Sequence, residues 1–204
     1  MKRIIFIIIV IAVICYFQYN YINEISDSLE ILQYENPKKN IFENILQDKL
    51  ISVFTYIHFN WNDNNLNNLN SQIIHNLYYY NIPLAIDYNH TIINEQQNST
   101  HLIKKQNKYR RLFYIYKGIK RYFIFTPNQY NYLYLNNEIS PINLWNQNIE
   151  KYPLITQSKY IEIICRENTM LYIPYGYYFT CISEEDSITI DLYSESIFSA
   201  FLKQ

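Results

Sequence analysis

Glycine is almost missing: the 204-residue chain has two, Gly118 and Gly176. That scarcity leaves nothing for a glycine-rich phosphate loop, and neither a P-loop nor a Gly-x-Ser-x-Gly elbow occurs. A surplus of one charge sign is missing too. The formal net charge is −1, whereas a nucleic-acid surface needs a clearly basic face, so nucleic acid is set aside as a partner. Three cysteines form no Cys-x-x-Cys, and four histidines form no His-Glu-x-x-His, which excludes the common zinc signatures. What is present in excess is Ile, Asn, Lys and aromatic residue, with 23 Tyr and 11 Phe. A+T-rich codons supply this set, so it points to an A+T-rich genome, such as that of a large DNA virus, and not to a sugar- or base-stacking surface. The length suits one domain with appendages, enough to bury a core without staples.

The N-terminus carries the one long apolar run. Met1-Lys2-Arg3 precedes "IIFIIIVIAVICYF", Ile4 to Phe17, and then "QYNYI". As a helix, residues 4–22 would extend about 28 Å, near the hydrocarbon thickness, with Tyr16, Tyr19 and Tyr21 suited to the interface. The reading is a signal-anchor helix over 1–22, with the membrane as partner through 4–22; the rival is a cleaved signal peptide. No small-x-small cleavage site follows, and Ile14 before Cys15 spoils a lipoprotein site. Lys2 and Arg3 hold the N-terminus in the cytoplasm, which sends the rest to the lumen or exterior, for a virus the envelope.

Residues 23–50 are expected to form a helical stalk. "SDSLEILQYE" offers Ser26 or Ser28 as N-cap, an apolar stripe of Leu29, Ile31 and Leu32, and a stop at Asn36-Pro37. "NIFENILQDKL" repeats the pattern with Ile41, Phe42, Ile45 and Leu46. "LISVFTYIHF" reads as a strand, Leu66 to Tyr80 as a helix with one apolar face, and "IPLAIDY" as extended chain.

The second half changes character. "LFYIYKG", "KRYFIFTP", "YLYL", "KYIEIIC", "MLYIP", "YYFTCIS" and "SITIDLYS" are short aromatic and β-branched runs between turn signals, the pattern of a β sandwich or barrel. Asn136 to Ser158 reads as a long loop with one helical turn. Cys165 and Cys181 lie in two of these runs, as core residues or as a disulfide. "SEEDS", Ser183 to Ser187, is a solvated hairpin loop before it is a cation site; "KKQNKYRR", Lys104 to Arg111, is a solvated strand lead-in before it is a contact for phosphate or anionic headgroups.

"LFYIYKGIKRYFIFTP", followed by "YIEIICRENTMLYIPYGYYFTCISEEDSITIDLYS", resembles the cupin-like JmjC domain, the double-stranded β-helix of many iron(II)/2-oxoglutarate oxygenases. Gly118 and the Pro174-Tyr175-Gly176 turn fall where that pattern places turns. In a chain that otherwise avoids glycine, these two mark a backbone need for positive φ. The expected fold is α+β, mainly β: a cupin-like jelly roll over 51–204, its β core about 112–199, behind N-terminal helices and the single membrane helix.

The resemblance implies a His-x-Asp/Glu pair and a distal His around an open iron. Those positions fall on Lys105, Asn107 and Phe179, and none of the three is a competent ligand. No His-x-Asp/Glu exists in the chain, and no histidine follows His101. Phe179 is expected to fill the metal's space. Lys120 matches the lysine that pairs with 2-oxoglutarate; its rival roles are a plain strand lysine or a partner for Asp191. Asp191 replaces a frequent Asn, and its charge would repel an anionic co-substrate. The sequence is therefore read as a membrane-anchored domain with no metal, no cofactor and no catalytic residue, serving an unidentified protein partner as an interaction or structural module. The alternative is a divergent iron(II)/2-oxoglutarate oxygenase of hydroxylase or demethylase type.

Overall fold

A computed structural model describes residues 2–38, 44–46, 48–57, 85–145 and 149–196. Helix α1 (Lys2–Asn23) leads, and ten strands follow: β1 (Ile31–Glu35), β2 (Ile51–Thr55), β3 (Ala85–Glu95), β4 (Lys104–Lys105), β5 (Arg110–Lys117), β6 (Lys120–Phe125), β7 (Tyr160–Cys165), β8 (Thr169–Tyr172), β9 (Tyr178–Ser183) and β10 (Ser187–Ser196). They form a six-stranded sheet, β1-β2-β8-β5-β10-β3, and a four-stranded sheet, β4-β9-β6-β7. From β5 onward the chain passes repeatedly between the two sheets, the winding of a cupin jelly roll.

Period-two alternation decides what lies between the sheets. Phe113 and Ile115 of β5 and Leu171 of β8 meet Tyr122 and Ile124 of β6 and Phe179 and Cys181 of β9 in one buried cluster. The alternate residues Leu112, Tyr114, Met170, Tyr172, Ile190 and Leu192 face the other way, where Ile45, Leu46, Phe54 and Ile57 cover them. A third cluster, including Ile103, Phe125, Leu133, Ile142 and Tyr178, fastens the segment after β6 to the outer side of the small sheet.

The stalk reading is corrected. Residues 31–35 are a strand, not a helix, and pair in parallel with β2, Ile31 opposite Ile51 through Glu35 opposite Thr55. Leu32 and Tyr34, two apart, pack on the outer cluster while Ile31, Gln33 and Glu35 face solvent. Leu29, Ile31 and Leu32 suit a helical stripe equally well, and the exposed edge of β2 outcompeted local propensity. Ser26 and Ser28 cap no helix: their hydroxyls accept from the amides of Ser28 and Glu30. Of the second stalk segment, residues 44–46 are helical; most of the remainder, like the 66–80 helix, lies outside the described residues. "YLYL" is no strand either: a 3-10 helix, Pro127–Tyr132, runs into a turn. Within 136–158 the structure has short 3-10 helices at Ile149–Lys151 and Pro153–Gln157.

Along α1, Ile4 to Ile9, Ile11, Val13, Ile14, Tyr16 and Phe17 are all exposed. Among the described residues no helix is long and apolar enough to cross a membrane. The unbroken apolar run of α1 stops at Phe17, before Gln18.

Candidate functional site

The site to test is the inner wall at the end of the barrel where β4 joins β9. Lys104 is paired with Phe179, and Lys105 with Tyr178. Paired residues share a face, so Lys104, and not Lys105, stands beside Phe179. The Lys104 ammonium lies 5.2 Å from the Phe179 ring centroid, while Tyr178 belongs to the outer cluster. Asn107 is at the surface, donating through Nδ2 to Glu138 Oε2 at 2.5 Å. Gln106 is the buried neighbour, its amide donating to the carbonyls of Lys108 and Ile173. Lys105, Asn107 and Phe179 therefore do not converge. Counting back from Gly118 lands one residue off in parity, because the short β4 enters after an irregular segment that no turn residue marks.

Phe179 is 1% exposed and packs on Phe113, the ring centroids 5.3 Å apart. Phe113 in turn meets Tyr122 at 5.6 Å. The guanidinium of Arg111 sits 4.9 Å from the Phe113 centroid and 5.4 Å from that of Phe179. Arg111 also grips Asp191 with two donors, Nε to Oδ1 at 3.0 Å and Nη2 to Oδ2 at 2.6 Å. Asp191 is thus paired with Arg111, not with Lys120. Burial, followed by the charge of Arg111, lowers the Lys104 ammonium from its ordinary range.

Lys120 is 2% exposed and bonds Glu95 Oε2 at 2.8 Å. The Glu95 carboxylate also accepts from Ser183 Oγ at 2.6 Å and lies 2.6 Å from His101 Nε2. Burial alone would raise the Glu95 carboxyl; the hydrogen bonds of His101, Lys120 and Ser183 and the Lys120 charge outweigh it and hold the group at about 2. Among the described residues, Tyr122 OH and Thr189 Oγ1 are buried without a hydrogen-bond partner, and burial pushes the Tyr122 phenol well up.

An iron centre of the implied type does not fit these residues. Phe179 has no lone pair, a lysine and a guanidinium flank it, and both nearby carboxylates are engaged by cations. Among the described residues no group of three His, Cys, Asp or Glu side chains is placed to hold a metal. 2-Oxoglutarate fits no better, since Glu95 stands where its distal carboxylate would meet Lys120.

Sequence reasoning missed Glu95 and His101, and took Lys104 and Arg111 for a solvated strand lead-in, whereas both stand over the buried Phe179 ring. Parity was the available signal for Arg111, two residues before Phe113. Nothing local flags Glu95, whose partner Lys120 is distant in sequence. His58 and His75 lie outside the described residues. Gly118 and Gly176 have φ of +84° and +89°, and Pro174 accepts the Tyr177 amide across the turn. Cys165 and Cys181 are buried free thiols. The "SEEDS" segment is the loop from β9 to β10, where Glu184 pairs with Arg121 and Asp186 accepts from the Gln97 amide.

Comparison with known proteins agrees with the geometry. A family model described as a cupin-like domain matches residues 34–199. tRNA wybutosine-synthesizing protein 5 of Homo sapiens is 31% identical over 77 residues, 37% of this chain and 24% of that protein. The aligned part is therefore about a quarter of that relative. With a family model spanning both sheets, and a barrel wound as its strands require, this chain belongs to the cupin-like domain family.

Proposed function

We propose that this protein is a membrane-associated, non-catalytic member of the family, an interaction or structural module. The observation that carries the reading is the filled face at Phe179: an aromatic side chain packed on Phe113, with Arg111 held over both rings by Asp191. A working iron site keeps one side open and its donors free. Here apolar volume and completed ion pairs take that space.

Membrane association is supported by α1. Its apolar side chains point outward along the run from Ile4 to Phe17, more exposed apolar surface than a soluble protein normally leaves uncovered. The run spans roughly 21 Å at 1.5 Å per residue, short of the hydrocarbon thickness. Tyr16 and Tyr19 then have to reach the interface for α1 to bridge the bilayer. Lys2 and Arg3 favour a cytoplasmic N-terminus and an exterior or lumenal barrel.

Metal analysis of the purified full chain tests the central claim. The expected result is substoichiometric iron and no turnover of 2-oxoglutarate; stoichiometric iron with uncoupled turnover would instead establish the divergent oxygenase. Deleting residues 1–23 tests the membrane claim separately. The product should leave the membrane pellet in a carbonate wash, and retention there would refute anchoring through α1.

A further inference from the structure

Two Asn-x-Ser/Thr sequences, the acceptor pattern for N-linked glycans, lie in the chain: Asn89-His90-Thr91 and Asn98-Ser99-Thr100. The fold treats them differently. Asn89 stands in the middle of β3, half-buried and opposite Tyr193 of β10. Asn98 stands in the turn between β3 and β4, exposed, with φ of +64°.

That turn is fixed through its backbone and its neighbours. The Gln97 amide donates to Asp186 Oδ1 at 2.9 Å, and Gln97 Nε2 donates to the Glu184 carbonyl at 2.9 Å. The Asn98 amide donates to the Ser183 carbonyl at 2.7 Å, and the Ser183 amide to the Ser99 carbonyl at 3.0 Å. The main chain is thus tied to the loop between β9 and β10, while the Asn98 carboxamide makes no hydrogen bond among the described residues. Thr100 is half-buried, and its hydroxyl accepts from Asn143 Nδ2 at 3.0 Å. Transfer therefore acts on the emerging chain before this contact closes, and the folded barrel has to accommodate the sugar afterwards. At Asn98 the sugar enters open solvent; at Asn89 it would branch from the middle of a paired strand.

The turn also lies far from the end of α1. β5 begins beside the Pro174-Tyr175-Gly176 turn, where the Ile173 amide donates to the Arg111 carbonyl, and Ile25, just past α1, packs over Gly176. β5 ends at Lys117, and the adjoining Gly118 abuts Asp186. Its eight residues separate the two ends of the barrel by roughly 23 Å at 3.3 Å per residue.

We propose that Asn98 is the N-glycan acceptor of this protein, with a lipid-pyrophosphate-linked oligosaccharide as the donor. Asn98 Nδ2 forms a bond to C1 of the first sugar, and the bond from C1 to the pyrophosphate oxygen breaks. The lipid pyrophosphate leaves with that electron pair, and the amide nitrogen gives up one proton. The inference rests on the reading above that the barrel faces the lumen or exterior.

Translation of the full chain in a lysate containing endoplasmic-reticulum microsomes tests it, with gel mobility read before and after peptide N-glycosidase F and with or without external protease. One glycosidase-sensitive shift is expected. Asn98→Gln and Thr100→Ala should each abolish it, Thr100→Ser should retain it in part, and Asn89→Gln should leave it unchanged. The Thr100 pair keeps the Asn98 side chain, so a folding defect of Asn98→Gln cannot produce this pattern alone. A barrel protected from protease yet unshifted, or a shift that survives Asn98→Gln or is lost in Asn89→Gln, overturns the acceptor assignment and leaves the topology standing. A barrel that is digested and unshifted overturns both.

Discussion

The Lys120 ammonium lies 2.8 Å from Glu95 Oε2, with the lysine 2% and the glutamate 9% exposed in their side chains. The pair joins β3 of the large sheet to β6 of the small one, so it bridges the barrel wall from within.

Because Glu95 is held at about 2, below its ordinary 4.5, it contributes stability that is fully present above about pH 4.5 and is lost as pH falls through 2. Allowing for solvent screening, that contribution is on the order of 2 kcal/mol. Urea midpoints at pH 7 and pH 2.5 should show it: the advantage of the wild type over Glu95→Gln should be clear at pH 7 and shrink at pH 2.5. An advantage that does not change between the two would mean the pair is not formed.

Phe179→Ala should cost about 3 to 5 kcal/mol, the usual penalty for truncating a buried aromatic, measured by denaturant unfolding at neutral pH. The register of β4 is tested by metal binding. Lys104→His with Phe179→His places two imidazoles side by side on one face and should gain micromolar affinity for nickel or zinc. Lys105→His with Phe179→His points them to opposite faces and should gain none. The reverse order would move β4 by one residue.

The two turn glycines should respond unequally to alanine. At Gly118 a methyl would meet the Asp186 carbonyl oxygen at 2.5 Å and the Ser187 Cα at 3.0 Å, backbone atoms that cannot step aside. At Gly176 it would meet Ile25 Cδ1 at 2.6 Å, the end of a side chain that can rotate. Gly118→Ala should destabilise by about 2 to 4 kcal/mol and Gly176→Ala by about 1 to 2 kcal/mol, from positive φ and crowding together. Equal losses in thermal or urea unfolding would contradict this ranking.

Burial pushes the Cys165 thiol up to about 12 and the Cys181 thiol to about 11. Neither should react with iodoacetamide in the native protein at pH 8, since the thiolate is the nucleophile. Both should react once the chain is unfolded in guanidinium. Native labelling of either, seen by mass spectrometry, would place it at the surface.

Most strands of the barrel were legible because short aromatic and β-branched runs lie between turn signals. "KRYFIFTP" and "YYFTCIS" became β6 and β9 with boundaries within a residue or two. Gly118 and Gly176 were legible because positive φ is chemically expensive elsewhere. The edges were not. Residues 31–35 carry a stripe that serves a helix or a strand, and only the open edge of β2 decides between them. The interior ion pairs were illegible for a different reason. Glu95 meets Lys120 through the pairing of two sheets, and no local pattern encodes which carboxylate faces which cation. Lys120 and Asp191, whose pairing was one of the rival readings of Lys120, each have another partner.

Among the described residues, seven other than glycine have positive φ: Asn36, Lys49, Tyr56, Asn98, Tyr134, Asn137 and Asn168. Asparagine tolerates that conformation; tyrosine and lysine do so under strain. Tyr56 has φ of 58° and is 61% exposed, so its ring gains little packing in return. For a heat-resistant version of this protein, the turn at Tyr56 is therefore the first place to work. Tyr56→Gly trades about 1 kcal/mol of torsional strain against greater freedom of the unfolded chain, and Tyr56→Asn eases much of the strain while keeping a side chain.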